Sequence, residues 1–203
     1  MLSIGKSKLH MPGFTLVEMI VVMAVLSILL AIAAPSLQTF MRNAQVRSLS
    51  ESLLAGINLA RSEAIRRNTQ VSFWMVTNTS ASCASSDAGN AWVVSLDSPA
   101  NNCDTPASPT TNPRIVQTHI GSEAATGINI AATTNGGAAA SCISFNGFGA
   151  VESACPGGLA RLAVINLTSE SGGRALRIQV DGGSVRLCDP SISDSANPVR
   201  CPS

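Results

Sequence analysis

Two kinds of side chain in this 203-residue sequence could do chemistry: a lone carboxylate and a set of thiols. The carboxylate is Glu18, set between Phe14-Thr15-Leu16-Val17 and a run of sixteen apolar or small residues from Met19 to Ala34. Together they give about 21 positions at roughly 1.5 Å rise each, enough to cross a hydrocarbon layer of about 30 Å. A charge in such a helix is costly and persists where it has a partner. The stretch therefore reads as a membrane helix whose carboxylate calls for an opposite charge. The thiols are Cys83, Cys103, Cys142, Cys155, Cys188 and Cys201, all beyond that helix. An even number of them in an exported domain points to an oxidising compartment and to disulfides. Proximity favours Cys83 with Cys103, Cys142 with Cys155 and Cys188 with Cys201, among the several connectivities that six cysteines allow. A metal centre competes for the same residues. However, no Cys-x-x-Cys occurs and His119 is the only histidine after the first thirteen residues, so neither metal nor cofactor is expected.

Other reactive constellations lack their parts. There is no tyrosine, no Gly-x-Ser-x-Gly elbow and no phosphate loop, so the chain is not expected to be an enzyme. Arg174, Arg177, Arg186 and Arg200 could converge on one edge and contact phosphates. Yet from Arg114 onward six arginines face six carboxylates, and the whole chain carries a net charge of only +1 with 12% charged residues. A polyelectrolyte is a poor partner for that balance. With aromatic residues at 3%, the core has to be built mainly from Val, Ile, Leu and Ala.

The elements that must position these groups follow in order. Residues 1–13 hold Lys6 and Lys8, the only lysines, and end in Met-Pro-Gly directly before the apolar run. A secretory signal places its cleavage site after the apolar core; here the junction precedes it, so the helix survives processing. The lysines favour a cytoplasmic amino end, weakly opposed by Arg42 and Arg47. Pro35 should bend or loosen the helix without ending it, because Leu37, Phe40, Met41, Ala44, Leu49, Leu53, Ile57, Ala60 and Ala64 continue at three- and four-residue spacing. Asn68 should end it. The expected division is 1–13 leader, 14–36 membrane half of the helix, 37–68 amphipathic half and 69–203 an extracytoplasmic β-rich domain.

Beyond Asn68, β-rich runs predict strands over 70–76, 91–96, 114–120, 127–131, 142–146, 161–167, 175–180 and 184–188, with a tight turn at Asp181-Gly182-Gly183. The Ser-, Thr-, Asn-, Pro- and Gly-rich stretches 77–90, 97–113 and 132–141 predict surface loops. The fold class is α+β: a long amino-terminal helix, first membrane-spanning and then amphipathic, on an antiparallel sheet or small sandwich. Ala60 and Ala64 offer the sheet a smooth face, while Arg61 and Glu63 point elsewhere.

The basic leader, Gly13-Phe14-Thr15-Leu16-Val17-Glu18 and the apolar helix resemble the type IV pilin superfamily. That resemblance implies a prepilin peptidase that cuts between Gly13 and Phe14 and methylates the new amino terminus. The cut would leave a cation at Phe14 inside the membrane edge, where pairing with Glu18 of a neighbouring subunit is favourable in low dielectric and would set an axial register. Within the superfamily the nearest likeness is the GspH/FimT branch. It is carried by residues 53–67 around Ala60-Arg61-Ser62-Glu63-Ala64, by Trp92-Val93-Val94, by 144–149, and by Gly173-Arg174-Ala175-Leu176-Arg177 with Val185-Arg186-Leu187-Cys188. The branch implies a minor pilin that primes or tips a pilus and assembles with other pilins from the inner membrane, or else a minor pseudopilin of type II secretion. Some FimT-like members bind DNA through Gly-Arg-x-Arg. At Gly183-Ser184-Val185-Arg186 the first arginine is replaced, so Arg174, Arg177 and Arg186 are not expected to bind DNA.

Overall fold

The computed structural model describes residues 14–121, 125–170, 172–181 and 183–202, apart from the side chains of residues 33–35. It divides into two units, Met1–Phe40 and Met41–Ser203. Helix α1 (Leu16–Arg67) contributes to both and continues through position 35 without ending. Its start is set by Thr15, whose Oγ1 accepts the backbone N–H of Glu18 at 3.2 Å and so satisfies one of the free donors of the first turn. The acid three positions after a threonine cap is the pattern of a capping box, and its charge suits the positive end of the helix dipole. Large apolar side chains of the first unit are exposed, from Phe14 at 76% to Ile32 at 72%. No single described helix is long and apolar enough to cross a membrane, but the bent pair Leu16–Ile32 and Ser36–Arg67 passes together by length and composition.

The helix ends in a Schellman motif. Asn68 takes the left-handed conformation (φ 48°), its N–H donates to Ile65, and the N–H of Thr69 donates to Ala64. Between Met41 and this cap the buried apolar side chains are Val46, Leu49, Leu53, Ile57, Ala60 and Ala64, with Ser50 and Gly56 buried among them. Leu37, Phe40, Met41 and Ala44, which carry the apolar spacing towards the amino-terminal side, are exposed. Apolar spacing marks a face without saying what covers it, and the domain core reaches only as far as Val46.

Ten strands follow among the described residues: β1 (Val71–Val76), β2 (Ala91–Ser95), β3 (Ile115–His119), β4 (Ile128–Thr133), β5 (Cys142–Phe145), β6 (Ala154–Cys155), β7 (Leu159–Ala160), β8 (Val164–Ser169), β9 (Leu176–Asp181) and β10 (Ser184–Cys188). One antiparallel sheet has the order β3-β2-β1-β5, a second β10-β9-β8-β4, and β6 pairs with β7. The last pair was not expected, because two-residue strands about Pro156-Gly157-Gly158 are too short to show a period. The eight longer strands fall within a few residues of the expected spans. Strand β8 begins at Val164 rather than Arg161, since the N–H of Leu162 leaves the ladder to donate to Cys142. Gly182 of the expected turn lies outside the described residues, while Ser184 stands opposite Asp181 in the hairpin register.

One core unites the helix with both large sheets: Leu53, Ile57, Phe73, Trp92, Phe145, Ile165, Leu167 and Ile178 all belong to it. Burying each such side chain stabilises by roughly 1.5–3 kcal/mol. Helix and first sheet meet at Gly56, where an added Cβ would stand 2.7 Å from the Phe73 ring and 2.9 Å from that of Trp92. The second sheet alternates buried and open positions, as in β4 and β9. The first does not. All six residues of β1 and all five of β2 are buried, because a second core covers the back of the sheet with Trp74, Val76, Val93 and Ile115 against Cys83, Cys103, Cys142 and Cys155. The stretches 77–90 and 97–113 are thus only partly surface loops, since Cys83 and Cys103 in them are buried.

Candidate functional site

At the amino-terminal end, Gly13 of the expected junction lies outside the described residues. Phe14 is exposed, and Glu18, a little over one helical turn beyond it, is also exposed. The Thr15 cap fixes where the helix starts and therefore where on its first turn the carboxylate stands. This arrangement offers an anion close to the chain position that a cut after Gly13 would turn into a free amine. Among the described residues no group of three or more potential metal ligands occurs.

The six thiols form three bridges, Cys83–Cys103, Cys142–Cys155 and Cys188–Cys201, which close sequence separations of 20, 13 and 13 residues. The first two lie in the second core, where Cys83–Cys103 joins two loops to each other and Cys142–Cys155 ties β5 of the first sheet to β6. The third folds the carboxy-terminal stretch back on β10. None is available as a nucleophile or metal ligand.

The carboxy-terminal arginines are not brought to one edge. Arg174 donates through Nε to Asp189 at 2.8 Å and lines a pocket with Arg47, Leu176 and Leu187. Arg177 and Arg186 stand on the other face of the second sheet, because their strand neighbours Ile178, Val185 and Leu187 pack into the core. Arg177 donates to Asn166 Oδ1 at 2.8 Å. Arg186 is opposite Gln179 in register, yet Gln179 Oε1 is buried without a partner, so the Arg186 guanidinium is not used there.

Asp189 was not singled out in the sequence and is the most connected carboxylate of the tail. Its Oδ1 accepts the N–H and hydroxyl of Ser191 at 3.0 and 2.6 Å, and Oδ2 accepts from Arg174. Burial pushes its pKa up, but the Ser191 donors and Arg174 outweigh burial and hold it below the usual aspartate value. Asp97 is likewise lowered, first by its side-chain hydrogen bonds from Arg114. Glu63 is lowered chiefly by Arg66, with Arg67 adding to it. His119 stacks on Trp92 with ring centroids 4.9 Å apart, and Trp92 Nε1 donates to Ser52 Oγ. Asp-Pro and Ser-rich context gave the only sequence hint of the Asp189 anchor; nothing local to His119 signalled its stack.

In the helix block around Arg61, Ala60 and Ala64 are fully buried, and Glu63 turns to Arg66 and Arg67. Arg61 reaches the β9–β10 turn, donating to the carbonyl of Gly183 at 2.8 Å. Its role is structural: it ties the helix to the hairpin.

Residues 12–34 match the prokaryotic N-terminal methylation motif. Residues 49–191 match the family model of type II transport protein GspH. No curated protein sequence matches. Among solved structures, the type IV minor pilin FimU of Pseudomonas aeruginosa is similar in two crystal forms. One is 17% identical, covering 77% of this chain and 97% of that one with a TM-score of 0.45. The other is 14% identical, covering 73% and 97% with a TM-score of 0.42. The GspH model takes in well over half of the sequence and the methylation motif stands at its expected end, so the chain belongs to the GspH family of the type IV pilin superfamily.

Proposed function

We propose that the protein is a non-enzymatic minor pilin that joins pilus assembly, as part of the priming or tip complex. In this reading residues 1–13 are a leader, removed by a prepilin peptidase between Gly13 and Phe14 with methylation of the Phe14 amine. Residues 14–36 then hold the subunit in the bacterial inner membrane, 37–68 continue the helix, and 69–203 form the periplasmic domain until the subunit enters a surface filament with other pilins. The observation that carries the reading is Glu18, an acid on the first helical turn of a methylation-motif helix whose other neighbours are apolar. Unpaired in lipid it is costly; paired with the Phe14 amine of an adjacent subunit it becomes an assembly contact.

A second reading, a minor pseudopilin of a type II secretion system, is supported by the description of the family model matched over 49–191. The test of the shared core is Glu18→Val in cells: the variant should remain membrane-inserted and lose incorporation into filaments. Normal incorporation would remove the proposed role. Deleting the chain and scoring twitching or pilus number against secretion of a type II substrate then separates the two readings.

A further inference from the structure

We infer that Arg186 and Arg200 form a receptor for a single carboxylate of a protein partner, built by the Cys188–Cys201 bridge. The two arginines line one open groove of about 330 Å³ between β10 and the carboxy-terminal stretch, together with Ser195 and Asn197 and the walls Pro198 and Pro202. Arg186 comes from the outward side of β10, flanked by Val185 and Leu187 that pack inward. Arg200 is placed by the tail. The N–H of Asp189 donates to Val199 at 2.8 Å, Asp189 and Arg200 form a β-bridge, and the next residue is bonded to Cys188. Asp189 is itself pinned by Arg174 and Ser191, so the backbone that carries Arg200 is fixed at several points.

The groove is cationic and its charge is uncompensated. Among the described residues neither Arg186 nor Arg200 has a carboxylate partner, whereas Arg47, Arg66, Arg67, Arg114 and Arg174 each have one. Asp189 is committed to Arg174, and Asp194 accepts the N–H of Ala196. Neither lines the groove. Two forked guanidinium groups with a hydroxyl and an amide beside them suit a planar oxyanion. A nucleic-acid backbone needs a continuing row of cations. Here Arg177 is turned to Asn166 and Arg174 is held by Asp189, so the row stops at two. That restriction favours one acidic side chain of a neighbouring protein. Only the identification of that neighbour as another filament subunit rests on the proposed function; the binding itself does not.

The experiment uses the full chain in detergent micelles with its arginine side chains 15N-labelled. The probe is the peptide acetyl-Gly-Ala-Asp-Ala-Gly-amide, with its Asp→Asn counterpart, inorganic phosphate and a 30-base-pair DNA duplex as comparisons. The Asp peptide should shift the Arg186 and Arg200 Nε–H signals saturably, and the Asn peptide should not. Arg186→Gln and Arg200→Gln should each weaken binding by about tenfold, Arg186→Lys by less, and Arg177→Gln by under about twofold. Reducing Cys188–Cys201 should abolish it. Overturning results are no shift with the Asp peptide, equal loss in Arg177→Gln, or survival of binding after reduction. Tighter binding of duplex than of peptide through the same arginines would replace the carboxylate receptor by a nucleic-acid site. Loss of peptide binding in Arg186→Gln with unchanged incorporation into filaments would leave the receptor standing and remove the subunit as its ligand.

Discussion

Arg61 Nη1 stands 2.8 Å from the carbonyl oxygen of Gly183, 122 positions further along the chain. This side-chain link between the helix and the β9–β10 turn is partly buried. Arg61→Ala should destabilise residues 41–203 by about 1 kcal/mol, read as a lower urea midpoint, with the β9–β10 amides losing the most hydrogen-exchange protection. Arg61→Lys should recover only part of it. Uniform loss of protection across all strands would disprove the local tie.

Gly56 decides how closely the helix can approach the first sheet. Ala is the better helix former by about 1 kcal/mol, but its Cβ would lie 2.7 Å from the Phe73 ring, which is fully buried. Overpacking costs about 1–3 kcal/mol, so Gly56→Ala should lower stability on balance. A raised melting temperature would show that the helix can slide away.

Acid should weaken the domain through Asp97, Asp189 and Glu63. All three have lowered folded-state values, so their stabilisation is present above the ordinary carboxylate range and is lost as pH falls through the lowered values. Asp97→Asn should flatten the fall of stability below about pH 4, where an unfolded aspartate begins to protonate. It should also lower stability at neutral pH, because Arg114 loses its bidentate partner. An unchanged acid slope would count against the Arg114 pair.

The sequence made these elements legible to different depths. Helix and strands were readable because their apolar residues repeat at 3.6 or 2 positions, and the Gly-rich turn between β9 and β10 marks itself. The burial of both faces of β1 was not readable, since Val71-Ser72-Phe73-Trp74-Met75-Val76 is equally compatible with one covered face and one open face. What decides it is Cys83–Cys103, which draws two polar-looking stretches over Trp74 and Val93. The arginines failed for a related reason. Charge counting showed that they balance, but Arg174 and Arg186 were split by an alternation that only the inward packing of Leu187 reveals. The first-turn motif was readable as the start of an apolar helix; that Thr15 also caps it emerged from its 3.2 Å contact with the Glu18 amide.

The cap and the carboxylate can be separated experimentally. Thr15→Ala should cost about 1 kcal/mol of local helix stability, seen as fraying of the first turn, and leave Glu18 able to pair. Its incorporation into filaments should exceed that of Glu18→Val by a wide margin. Equal loss in both would make helix initiation, rather than charge, the requirement at position 18.

Removing Cys188–Cys201 by paired Cys→Ser changes should cost on the order of 3 kcal/mol, the value for closing a loop of this size. Protease sensitivity confined to residues beyond β10 would be its signature. Cleavage that begins in β1 or β2 would mean that the tail supports the whole domain.

The bridges also set how far the molecule can be drawn out under load. A chain pulled from Phe14 and from its far end can release length only where no covalent crosslink intervenes. At about 3.4 Å per residue, the 20-residue separation closed by Cys83–Cys103 withholds about 70 Å of contour, and the two shorter bridges withhold more. Tension therefore passes from the helix into a body that releases its unbridged stretches but keeps these three loops closed, so the oxidised protein gives a shorter tether than the reduced one by the contour of the three closed loops.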